Sequence, residues 1–156
     1  MRRMFQECSL IKNLNLSDFV TDNVIFIESM FEECSSLKEI NLSSFNTSKV
    51  VDMSYMFKGC SSLKDLNISN FNTSKVINMC NMFENCGGLI NLDISNFIIN
   101  KENNVEYMFS CCLEKLKNKI KIQNKDINDN AFKDFGDIIS YHCCDYGLDW
   151  SIYSYF

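Results

Sequence analysis

Proline is absent from the 156 residues, histidine and tryptophan occur once each, and glycine only five times. The lone histidine, His142, has no repeated partner and reads as a structural residue rather than a catalyst. An excess of positive charge is missing too: 15 Lys and Arg stand against 20 Asp and Glu, a net charge of −5. That balance argues against a protein that tracks nucleic-acid phosphates. Long hydrophobic runs are lacking, the longest being Val24-Ile25-Phe26-Ile27, far short of a membrane span. The start, Met1 to Glu7, has a basic pair but no apolar stretch behind it, so no secretory signal is expected on this chain. Missing proline goes with abundant Asn, Ile and Lys, a bias of AT-rich codons that speaks of genome rather than function. At 46% apolar and 22% charged residues, the chain has the means to bury one domain's core.

What is plentiful, nine Cys, eight Met and thirteen Phe, has one cause: a 26-residue repeat. The pairs Met4-Phe5, Met30-Phe31, Met56-Phe57, Met82-Phe83 and Met108-Phe109 keep that spacing. Cys8, Cys34, Cys60, Cys86 and Cys112 follow three residues later. Leu14/Leu16, Ile40/Leu42, Leu66/Ile68 and Leu92/Ile94 come next, then Phe19, Phe45, Phe71 and Phe97. Four full periods and the start of a fifth run without a gap from Met4 to Cys112. A fixed period in the twenties marks a solenoid, because one unit cannot bury its own apolar face and must stack.

Within one unit, Thr47 and Ser48 suit a helix N-cap, and Val50, Met53, Met56, Phe57 and Cys60 then recur at helical spacing. Gly59 and Ser61-Ser62 end that element, and Asp65-Leu66-Asn67-Ile68-Ser69 alternates as a short strand with one buried face. The expected fold is therefore α/β: a solenoid of units each holding a short helix and a short parallel strand, with strands in one sheet and helices in a second layer. Strands rising about 4.8 Å per unit give a block roughly 20 to 25 Å long.

The segments from Met56 to Ser74 and from Met30 to Leu37 resemble the BspA-like leucine-rich repeat family, whose members string together M-F-x-x-C-S-S-L-x-x-L-N-L-S-x-F-N-T-S. The likeness covers roughly residues 4 to 116. It implies a surface protein of host-associated bacteria, mollicutes or protists, adhering to host proteins and other cells. It implies no enzymatic activity and no shared catalytic residue.

Domain organisation follows from where the pattern stops. Residues 1–116 form the leucine-rich repeat solenoid, and residues 117–156 form a C-terminal cap packed on the last repeat. Lys117 to Ile122 alternates like a strand whose outward lysines blunt a sheet edge. Ile127, Ala131, Phe132, Phe135, Ile138 and Ile139 mark an amphipathic helix, and the aromatic-rich stretch Tyr141 to Phe156 is expected to fold back over the final turn. At the front, the first repeat lacks its preceding half, so the uncapped N-terminal edge is a place for self-association or for the rest of a longer array.

The cysteines are the tempting residues for chemistry. The five in register read as reduced thiols packed in the core, since free Cys is among the most buried side chains. An odd total argues against a disulfide framework. Cys80, whose equivalents are Ser54 and Glu106, is expected to face solvent. Cys111-Cys112 and His142-Cys143-Cys144 lack the two-residue spacing that lets both thiolates reach one zinc, so no metal or other cofactor is expected. A cysteine nucleophile would need an exposed, activated thiol, which no pattern supplies. Gly87-Gly88 replaces a serine pair at a repeat turn and is no phosphate loop.

Binding remains. The outward strand positions form columns: Asn13, Glu39, Asp65 and Asn91; Asn15, Asn41, Asn67 and Asp93; Ser17, Ser43, Ser69 and Ser95. Glu39, Asn41, Asp65, Asn67 and Asp93 are the candidate binding residues. The face is polar, mildly acidic and without an aromatic anchor, so the bland alternative is a set of asparagine ladders that stiffen the sheet. Phe26, Tyr55 and Tyr107 offer a second patch on the outward side of the helices. Two functions follow: a surface adhesin module whose partner is a host or neighbouring-cell protein, or an intracellular structural or interaction scaffold. Neither involves nucleic acid or a membrane span.

Overall fold

The computed structural model describes residues 1–134. Phe135, Ile138, Ile139, the Tyr141 to Phe156 stretch and the His142-Cys143-Cys144 cluster lie outside the described residues. Short parallel strands combine with one small helix, and the strands close no barrel. The strands are β1 (Asn13–Asn15), β2 (Glu39–Asn41), β3 (Asp65–Leu66) and β4 (Asn91–Leu92), one per 26-residue unit. Rather than one sheet they make two: β1 pairs with β2, and β3 with β4, both parallel and in the repeat's own register. Side chains add to the joining of successive units. The Asn70 amide donates to the Leu42 and Phe45 carbonyls, and Asn96 does the same for Ser69 and Phe71.

The expected helix in each unit is not there. From Val50 to Leu63 the backbone is a string of turns: Val50 N–H donates to the Thr47 carbonyl, Met56 to Met53, Cys60 to Phe57 and Leu63 to Cys60. The amides between them point sideways, Met53 to Asn78, Tyr55 to Cys80, Phe57 to Met82 and Gly59 to Glu84. A helix would spend all of these on carbonyls four residues back. Left-handed backbone alternates with the turns, at Tyr55 (φ 59°) and Gly59 (φ 73°), and recurs at Ser29 and Glu33, Asn81 and Asn85, Tyr107 and Cys111. That conformation breaks a right-handed helix. Turns spaced three residues apart bury the same stripe as helical spacing does, which is why the pattern misled. A further line of parallel bridges joins Phe26, Asp52, Asn78 and Asn104.

Because identical positions stack, the core is built of ladders. Phe5, Phe31, Phe57, Phe83 and Phe109 stack with ring centroids 5.4 to 5.8 Å apart. Phe19, Phe45 and Phe71 form a second column at 6.5 Å. Each buried ring is worth about 1.5–3 kcal/mol, and stacking adds about 0.5–1.5. Thr21, Thr47 and Thr73 are buried, and each hydroxyl both donates to and accepts from backbone of the next unit.

At the C-terminal end, the segment expected as a strand is a helix, α1 (Glu114–Gln123). Leu116 and Ile120, one turn apart, decide it by burying together, while Ile122 is left 77% exposed. Lys117 is not an outward edge guard. It is 3% exposed, and its ammonium lies 2.9 Å from Asp134 and 3.0 Å from Glu114. Burial pulls its pKa down, but the two carboxylates outweigh it and leave the pKa raised. The expected amphipathic helix from Ile127 is, within the described residues, a single 3-10 turn at Asp129–Phe132. That turn continues the ladders: Phe109 N–H donates to the Ala131 carbonyl at 2.7 Å, and the Phe132 ring stacks on Phe109 at 5.6 Å.

Candidate functional site

The cysteine ladder, the first candidate for chemistry, is structural. Cys34, Cys60, Cys86 and Cys112 are buried, and each thiol donates to the carbonyl of a Phe one unit back, at 3.0 to 3.2 Å. Burial pushes the Cys34 thiol up to about 11 and raises Cys60 and Cys86 further. A neutral, enclosed thiol is a poor nucleophile and a poor metal ligand. Cys80, expected to face solvent, is 9% exposed because Tyr55 of the preceding unit covers it and hydrogen-bonds its sulfur. Among the described residues, no group of three or more His, Cys, Asp or Glu side chains could hold a metal ion.

The strand face is different. Alternation along each strand turns Leu14, Ile40, Leu66 and Leu92 inward and leaves the residues on either side exposed. An open groove of about 700 Å³ lies on this face. Glu39, Asp65, Asn67 and Asp93 line it; Asn41 is exposed on the same face but outside the lining. Lys38 and Lys64, at the mouths of β2 and β3, line it as well, and Lys119 reaches it from α1. These three cations were not among the residues picked from sequence. Lys119 sat on a segment expected as a strand, which is a helix.

Stiffening asparagine ladders are not what this face shows. Asn15, Asn41 and Asn67 each accept the N–H of the serine two residues on, at 3.1 Å, and Asp93 accepts that of Ser95 at 2.8 Å. These local turns end the strands. The same Ser95 bonds hold the Asp93 carboxyl below the usual range, with Lys119 adding to the effect. Asn91 and Asp65 pair across units, Nδ2 to Oδ1 at 2.5 Å. The groove thus presents three carboxylates and three ammonium groups around Ile40, Leu66 and Leu92, an open surface suited to binding by charge and hydrogen bonds rather than to enclosing a small molecule.

Phe26, Tyr55 and Tyr107 are not brought into one patch. Phe26 lies under the Arg2 guanidinium at 4.2 Å, on the line of bridges. Tyr55 and Tyr107 are half-buried in another column, with Asn81 of the intervening unit between them. A smaller groove of about 440 Å³, lined by Asn104, Glu106, Asp126 and Asn130, lies at the C-terminal end. No helix among the described residues is long and apolar enough to cross a membrane.

Residues 1–124 match the family described as "Mycoplasma protein of unknown function, DUF285". No curated protein matches the chain, and no solved structure does.

Proposed function

We propose that this chain, which belongs to the family Mycoplasma protein of unknown function, DUF285, is a non-enzymatic protein–protein interaction module. In this reading it is a leucine-rich-repeat solenoid of the BspA-like kind, presented at the cell surface as an adhesin. One observation carries the reading: Glu39, Asp65, Asn67 and Asp93 stand exposed along a single groove. Repeat proteins bind through such extended surfaces, where affinity is summed over many modest contacts. The resemblance of the repeats to BspA-like proteins supports the surface location and a host or neighbouring-cell protein as partner.

Protease shaving of intact cells, followed by immunodetection, tests the location. Loss of signal without lysis is expected, and full protection until lysis would overturn the surface reading. Beads coated with the chain should adhere to cultured host cells. The pair Asn41→Lys/Asp93→Lys should cut that adhesion at least fivefold, and unchanged adhesion would sink the strand face as the site. A second reading, an intracellular scaffold, draws on the thiol ladder, where the sulfurs of Cys34, Cys60 and Cys86 each donate to a Phe carbonyl in the core. Protection from shaving would favour it.

A further inference from the structure

We infer that the strand-face groove takes a second copy of this chain, laid face to face with its units running in the same direction. The inference rests on reading this face as the interaction surface, and it names a partner for it.

Two charged columns stand side by side here. Lys12, Lys38 and Lys64 occupy equivalent positions in successive units, with the Lys38 N–H bonded to the Lys12 carbonyl at 2.7 Å. The next residue in each unit makes the second column, Asn13, Glu39, Asp65 and Asn91. Lys38 and Lys64 share the groove with Glu39 and Asp65, yet none of the four is in an ion pair among the described residues. The ion pairs among the described residues are Arg2–Glu28, Lys58–Glu84, Lys117–Glu114 and Lys117–Asp134. Across the whole groove the charges cancel, Lys38, Lys64 and Lys119 against Glu39, Asp65 and Asp93.

A face with a cationic column beside an acidic one is complementary to itself under one operation. A two-fold axis along the stacking direction, between the columns, sets Lys38 against the partner's Glu39 and Lys64 against the partner's Asp65. The same contacts recur reciprocally, as an isologous interface requires. Reversing the second copy would set lysine against lysine. Pitch argues for the same chain as occupant. Rungs repeat about every 4.8 Å, so every pair is in register only if the partner's charges repeat at that interval, and a second copy carries the charges at that interval. The face is small, below the range of stable dimers, so the association is weak and depends on its charges.

Sedimentation equilibrium of the full chain, taken to about 1 mM, tests this. The wild type should dimerise reversibly and weaken as salt is added. Lys38→Glu/Lys64→Glu and Glu39→Lys/Asp65→Lys should each weaken the dimer at least tenfold. An equimolar mixture of the two variants should restore it, because the four facing positions are then acidic on one copy and basic on the other. All four positions are exposed, and circular dichroism melts check folding; if a reversal unfolds the chain, Lys38→Gln/Lys64→Gln replaces it with the same expected direction. A wild type that stays monomeric, a dimer indifferent to both variants, or a mixture that fails to pair would overturn the inference. A monomer that still adheres to host cells would leave the adhesin reading standing, so the two failures are told apart.

Discussion

At the scale of single residues, the left-handed positions are where the backbone is held against its preference. Glu33 has φ 59° at the position where the next unit has Gly59. A non-glycine side chain in that conformation costs about 1 kcal/mol or more. Glu33 also has its pKa raised, chiefly by burial, with Glu32, Glu84 and Glu7 adding to the shift and Lys58 opposing it. Glu33→Gly is therefore expected to stabilise the fold by about 0.5–1 kcal/mol, read as a higher urea midpoint at constant slope. The thiols make the opposite kind of statement. Cys34 titrates near 11 in the folded chain against 9.0 for a free thiol. Its folded-state pKa is raised, so the unfolded chain gives up the proton first as pH climbs. Stability should hold below about pH 9 and decline from there through 11, more shallowly in Cys34→Ala; a midpoint flat across that window would contradict it. Peptide-level iodoacetamide labelling at pH 8 should find the four ladder thiols at least tenfold slower than in urea.

At the scale of elements, the register of the rungs was fully legible, because parallel stacking brings identical positions together and a 26-residue period names those positions. What was not legible was how each unit travels between rungs. Turns and helix bury the same three-spaced stripe, and of the ten left-handed residues among those described only Gly59 is a glycine. Glu39, Asp65, Asn67 and Asp93 could be found from two-residue alternation alone, whereas Lys119 needed the helix that brings it there. That helix was misread because lysines usually mark an outer face, and the partner that buries Lys117, Asp134, lies 17 residues further on. Lys117→Ala should cost about 1–3 kcal/mol, through a lost charge-assisted bond and lost packing. Lys117→Met should recover part of that by keeping the aliphatic stem. The check is thermal melting of both variants; equal losses would mean that the stem contributes nothing.

At the scale of the whole molecule, nearly every long-range bond spans one period, so the parts are interchangeable as whole units. Deleting residues 53–78, one full period, should leave a folded chain with a lower urea slope, since less surface is buried. Deleting 25 residues from the same place shifts every ladder and should abolish cooperative melting; a folded product there would refute the register argument. The two polar ladders give the stack a direction. Thiols reach back, as Cys34 does to the Phe5 carbonyl, and threonines reach forward, as Thr21 does to Asn46. On the ribosome this has a temporal meaning. At roughly 5–20 residues per second, a new unit emerges every few seconds and finds the previous one already presenting its carbonyls. The chain can wind onto itself in the order of its synthesis, each coil serving as the mould for the next.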